Sequence, residues 1–206
     1  MNVKIHRPLA VANTRRAKQE AADAQVPTPG ELTPTSVLRE RARQRVMEGA
    51  VTANYHLRPE GLIEMLNHAL ATELVCVLRY KRHYHVAKGL RARPAAAEFL
   101  EHATAEAEHG DRIAERITQL GGEPDFDPRT LADRSHAQYH DGTQLTEMIT
   151  EDLVAERIAI ESYREMVQFI GDRDPTTRRM LEDILAAEEE HADDLVNLLE
   201  GRGAPS

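Results

Sequence analysis

At 206 residues, with Ala, Leu, Glu and Arg abundant, aromatics at 4% and no Trp, the chain has room for one domain and an appendage, and its composition argues for helices around small, regular core layers. Its net charge of −9 is uneven: Lys4, Arg7, Arg15, Arg16 and Lys18 stand in an N-terminal stretch with no acid, so the remainder carries about −14, suited to cations more than to nucleic acid. A single cysteine excludes an intrachain disulfide and a thiolate metal site, no apolar run approaches the ~20 residues of a membrane span, and the polar start lacks a secretory apolar segment, so the expected location is cytoplasmic.

Residues 1–35 mix charge, Ala and turn formers (Pro27, Pro29, Gly30, Pro34) without an apolar period and read as a flexible basic arm. Ser36 is placed to cap a short, mostly polar helix, VLRERARQRVMEGAV, so that residues 36–58 form an accessory helix and linker. Arg39, Arg41, Arg43 and Arg45 step by two and spread around that helix, which favours a solvated face over a nucleic-acid patch. Residues 59–200 hold four long helical segments, and 201–206 are a tail.

The first long segment opens at Pro59, a good first-turn residue, and runs to about Gly89. Leu62, Leu66, Ala69, Glu73, Val77, Tyr80 and Tyr84 recur in it at steps of three and four, so Glu73 falls within the core-facing stripe. The second, from Pro94 to Gly121 and Gly122, carries Phe99, Ala103, Glu106, Gly110, Ile113, Ile117 and Leu120, with His109 one turn after Glu106. Residues 122–143 contain turn signals around a short helix, LADRSHAQY; the connection is too long for a hairpin and long enough to travel the length of a bundle. The third segment carries Leu145, Ile149, Asp152, Glu156, Ala159, Tyr163, Val167 and Ile170 on one face. After Gly171 and Pro175, the fourth carries Leu181, Ile184, Glu188, His191, Leu195 and Leu198 and stops near Gly201.

The two halves repeat. Glu73 precedes Glu106 and His109 by 33 positions to the glutamate, Glu156 precedes Glu188 and His191 by 32, and Tyr80 and Tyr163 each follow the lone glutamate of their half by seven residues. Two such hairpins joined by a long crossover predict an all-α, antiparallel four-helix bundle with approximate two-fold symmetry.

Ionised carboxylates in an apolar core cost several kcal/mol unless paired, and four at one level repel. Two divalent cations remove both penalties. A Glu and a His at i and i+3 project from one helix face and can grip a single ion. Supplied twice, with one further Glu from each remaining helix, they make the ligand set of a di-iron or di-manganese carboxylate bundle. Glu-x-x-His occurs only twice in the chain, both times on a core stripe, and the competing explanation, buried acids satisfied by core histidines, tyrosines and arginines, finds few bases on those stripes.

The segments LNHALATELVCVLRY, EAEHGDRIAERI, DLVAERIAIESY and AAEEEHADDL resemble the four helices of the ferritin-like superfamily, bacterioferritin above all. The resemblance implies Glu73 and Glu156 as terminal ligands, Glu106 and Glu188 as bridging ligands, and His109 and His191 as one ligand to each of two irons, with manganese or zinc as alternatives. It implies Tyr80 and Tyr163 beside the centre, Asp152 as an acid one turn before Glu156 orienting a histidine, and ferroxidase activity with oxygen or hydrogen peroxide as acceptor. Ala107 stands where bacterioferritin has its haem methionine, so no haem is expected. The sequence lacks the short fifth helix of the twenty-four-subunit shells. The arm and long crossover resemble the Dps-like group, whose paired cysteines are missing here, and imply a twelve-copy homo-oligomer that stores and detoxifies iron. A non-storage peroxidase or catalase on the same centre, and a DNA-protecting protein acting through the basic arm, are the rival readings.

Neighbouring candidates point elsewhere. Glu108, Glu189 and Glu190 adjoin the motifs but turn ~100° per residue away from them and could line an iron path. His102, one turn before Glu106, reads as a core or surface histidine or a neighbour of the ligands; His83 and His85 read as surface; His136 and His140 as part of a solvated connector; Cys76 as a small buried hydrophobe.

Overall fold

The computed structural model describes residues 32–201, which fall into two compact units divided after Tyr55. The expected arm, apart from its last few residues, and the tail beyond Gly201 lie outside the described residues. Within the first unit, α1 (Thr35–Gln44) buries none of its side chains. It starts after Pro34 without a side-chain cap, so Ser36 lies inside the helix and does not cap it. Arg41 donates to Asn54 Oδ1 at 3.0 Å.

The second unit is an all-helical, antiparallel bundle. Its long helices are α2 (Pro59–Val86), α3 (Arg93–Gln119), α5 (Leu145–Ile170) and α6 (Pro175–Leu199), with a 3₁₀ turn at Leu90–Ala92 and the short α4 (Leu131–Arg134) in the crossover. A proline lies in the first turn of α2, α3 and α6, where its missing N–H costs nothing. Gln144 and Glu147 form a reciprocal capping box at the start of α5, and Asp174 caps α6 by accepting from the Thr177 N–H. Gly171, at φ 52°, takes the left-handed conformation that turns α5 into α6.

The hairpin α2/α3 packs as one unit and α5/α6 as the other, with α3 against α6 and α2 against α5 closing the bundle. Leu62, Leu66, Phe99, Ala103, Ile113, Ile117, Leu181, Ile184 and Leu195 are buried between them. Arg116 ties the end of α3 to the start of α6, donating to Thr177 Oγ1 at 2.7 Å and Asp174 Oδ2 at 2.9 Å.

Three further expectations are corrected. The crossover helix stops at Arg134, four residues into LADRSHAQY. Beyond it the chain runs along α2, whose side chains satisfy its backbone: Thr72 Oγ1 accepts from the His136 N–H, and Arg79 donates to the Gln138 carbonyl. His83 is fully buried, not on the surface, because the returning crossover covers it. And α2 is, by length and composition, apolar enough to cross a membrane, contrary to the absence of any such run. More than half of that window is buried within the bundle, and the helix carries the buried Glu73, Arg79 and His83.

Candidate metal centre

Each long helix delivers its share of one buried cluster: Glu73 from α2, Glu106 and His109 from α3, Glu156 from α5, Glu188 and His191 from α6. The four glutamates are 0–2% exposed and the two histidines 6–7%. The i, i+3 spacing on α3 and α6 puts each Glu and His on one face, and antiparallel pairing of the hairpins brings the lone glutamates to the same level.

The contacts separate the carboxylates into two kinds. Glu106 presents Oε2 to His109 Nδ1 at 3.1 Å and Oε1 to His191 Nδ1 at 3.7 Å; Glu188 presents Oε1 to His109 at 3.0 Å and Oε2 to His191 at 3.5 Å. Both thus span the space between the two imidazoles, which lie 6.1 Å apart by ring centroids. Glu73, by contrast, meets only His109 of the two histidines, at 3.5 Å. Ligand atoms converge in two tetrads, Glu73–Glu106–His109–Glu188 and Glu106–Glu156–Glu188–His191, which share Glu106 and Glu188. Tyr80 donates its hydroxyl to Glu156 and Tyr163 donates to Glu73, so each lone glutamate is held by the tyrosine of the opposite hairpin.

Burial, reinforced by the charge of Glu106, pushes the Glu73 carboxyl up to about 8 and drives Glu156 well above its ordinary value. Burial also presses on both imidazoliums, but the surrounding carboxylates more than reverse it, raising His109 to about 12 and His191 to about 10. Glu188 is lowered: burial and Glu73 raise it, and its contacts with His109 and His191 outweigh them. Protons on the histidines and lone glutamates therefore compensate the cluster's negative charge.

That compensation is incomplete. Glu73 Oε2, Glu106 Oε1, Glu156 Oε2, both Glu188 oxygens and His191 Nδ1 are buried without a hydrogen-bond partner among the described residues. Such atoms are costly unless something else satisfies them. Oxygen and imidazole donors in two tetrads that share two carboxylates fit a pair of divalent cations.

The neighbouring residues divide as follows. Asp152 is fully buried but does not touch His109 or His191; it accepts from Arg79 Nε and pairs with His83 Nδ1, each at 2.7 Å. This Arg79–Asp152–His83 group was missed by reading one stripe of α2 alone. Thr72, Cys76, Arg79 and His83 form a second stripe at steps of four, three and four, and all are buried. Glu108, Glu189, Glu190, His85 and His136 are exposed and His140 half-buried. Cys76 is buried and free, its thiol pushed up by burial. His102 is 1% exposed, stacks on His191 at 4.1 Å and meets Tyr80 edge-on; burial, then the charge of His191, lowers it to about 3.

The sequence matches the family described as ferritin-like domain over residues 63–202. It is 32% identical to a nutrient stress-induced DNA-binding protein of Synechococcus sp. over 67% of this chain and 80% of that protein. It is 28% identical to a bacterioferritin of Rhodobacter capsulatus over 64% of this chain and 78% of that protein. Among solved structures, it is similar to a dodecameric thioferritin, the bacterioferritin-related protein of Bacteroides fragilis. That likeness has a TM-score of 0.68 and 33% identity and covers 70% of this chain and 88% of the other.

Proposed function

The chain belongs to the ferritin-like domain family, and on that premise we propose that it oxidises Fe(II) at a paired-metal centre and stores the product inside a homo-oligomeric shell. The observation that carries this reading is the pair of tetrads sharing Glu106 and Glu188. Glu106 and Glu188 would lie across both ions, Glu73 and His109 would complete one position, and Glu156 and His191 the other. Tyr80 and Tyr163 would fix the rotamers of the lone glutamates through their hydroxyl hydrogen bonds. Iron bound there supplies the electrons: two Fe(II) reduce one hydrogen peroxide, which with two protons leaves as two waters, and oxygen is the alternative acceptor. The same nitrogen and oxygen donors accept manganese or zinc.

A shell of twelve copies agrees with the assembly named for the thioferritin; twenty-four is the alternative. Sedimentation of the full chain, with iron retained per particle measured after Fe(II) and peroxide addition, tests both proposals. A large particle that accumulates ferric iron supports storage. A monomer or dimer that turns peroxide over without retaining iron supports a catalase or peroxidase instead. The five basic residues near the N-terminus, together with the name of the Synechococcus relative, favour DNA retention as a second reading. Unchanged DNA binding at low salt after deletion of residues 1–20 would remove the arm from it.

A further inference from the structure

Tyr80 gives its single hydroxyl hydrogen to Glu156, so towards its other neighbour, His102 Nδ1 at 3.3 Å, the phenolic oxygen can only accept. This contact places the imidazole hydrogen on Nδ1 and leaves a lone pair on Nε2. His102 is 1% exposed, and its Nε2 has no hydrogen-bond partner among the described residues. What faces that nitrogen is Asp194 Oδ2 at 3.7 Å and Glu98 Oε2 at 3.9 Å. Glu98 and His102 are one turn apart on α3, and Asp194 is one turn beyond His191 on α6. Their ligand atoms all lie within 4.8 Å of one another, in a group that contains none of the six residues of the paired centre, although His102 also groups in the same way with Glu156 and His191.

A lone pair and two carboxylate oxygens converging on one point have no hydrogen to share. We propose that Glu98, His102 and Asp194 form a third divalent-cation site, at the solvent-facing margin of the centre, that takes Fe(II) or an ion of similar ligand preference such as Co(II) or Zn(II). The side chains of Glu98 and Asp194 are 18% and 41% exposed, so the site opens to water, while the His102 ring packs directly on His191. An ion arriving from solvent is held one imidazole short of the paired centre, so the site serves as a loading station. The loading role rests on the function proposed above; the binding does not.

The test titrates the metal-free full chain with Co(II) and locates the ion by anomalous scattering in cobalt-grown crystals. Three proteins are compared: wild type, Glu98→Gln/Asp194→Asn and Glu106→Gln/Glu188→Gln, each checked for helical content. The expected result is a cobalt peak bounded by His102, Glu98 and Asp194 in wild type, lost in Glu98→Gln/Asp194→Asn with one ion per chain fewer, and kept in Glu106→Gln/Glu188→Gln. Equal cobalt counts in wild type and Glu98→Gln/Asp194→Asn, with no peak at that position, overturn the proposal. If Glu106→Gln/Glu188→Gln instead retains every cobalt ion of the wild type, the paired-centre reading fails and the third site stands. Stopped-flow Fe(II) oxidation in Glu98→Gln/Asp194→Asn is expected to slow roughly 10-fold at low iron; an unchanged rate overturns the loading role.

Discussion

Tyr80 donates its hydroxyl hydrogen to Glu156 in the opposite hairpin, not to Glu73, seven residues earlier on its own helix. Tyr163 makes the reciprocal bond to Glu73. Seven residues of helix span roughly 10 Å, beyond the reach of a hydrogen bond between those side chains, whereas the antiparallel partner presents its glutamate at the level of the phenol. Each tyrosine therefore couples one hairpin to the other. Tyr80→Phe and Tyr163→Phe are each expected to destabilise the metal-free protein by about 1–3 kcal/mol in urea unfolding, because a buried carboxyl oxygen loses its donor. Each should weaken metal binding roughly 10-fold or more in a competition titration; an unaltered affinity in both would remove the tyrosines from the centre.

Glu106→Ala and Glu188→Ala should each abolish rapid Fe(II) oxidation while leaving the far-ultraviolet circular dichroism of a helical bundle. Both carboxylates face both histidines, so each substitution strips a donor from both metal positions at once. Stopped-flow absorbance of ferric iron checks this, and wild-type rates in both variants would exclude the bridging assignment.

Metal-free stability should fall as pH rises above 6.5. Glu73 is raised from 4.5 to about 8, so its contribution is complete below pH 4.5 and is lost as pH rises through 8. His109 and His191, raised to about 12 and 10, contribute fully below 6.5 and lose that contribution as pH rises through those values. His102, lowered to about 3, acts oppositely, but only below 6.5. Differential scanning calorimetry of metal-free protein between pH 6.5 and 9 is expected to show a falling Tm; a level or rising Tm contradicts the charge state assigned to the cluster.

Metal binding at pH 7 should expel protons. The two histidines are held protonated and the two lone glutamates neutral, and all four must give up a proton to act as ligands. Zn(II) titration calorimetry in buffers of different ionisation enthalpy should report more than one proton released per ion.

Asp152→Ala should be among the most damaging substitutions away from the cluster. It removes the carboxylate that Arg79 and His83 share in the core, and loss of one partner from a buried ion pair costs about 3–5 kcal/mol. Arg79 also secures the crossover through the Gln138 carbonyl, so proteolysis within residues 135–143 should accelerate. Urea unfolding measures the first effect and limited proteolysis the second.

The helical class, the four long helices and the six clustered side chains were legible in the sequence. Each rests on something local: a period of three to four apolar residues, a proline in a first turn, or a glutamate and histidine fixed by 3.6-residue geometry to share a face. A carboxylate repeated on a buried stripe also announces itself without coordinates, because water would otherwise hold it at the surface.

What depended on contacts between distant segments was decided only by tertiary structure. Nothing in the run around His83 distinguishes a surface histidine from a buried one until the crossover returns over it and Asp152 arrives from α5. The same crossover gave up most of its helix because Thr72 and Arg79 of α2 satisfied its backbone in extended form. The exchange of tyrosines between halves likewise follows from how α2 and α5 are packed, and the convergence of Glu98, His102 and Asp194 from how α3 and α6 are packed. Periodicity determines which face of a helix is buried, but which residues meet across that face depends on the register and direction of the partner helix, and those are set by packing of the whole bundle.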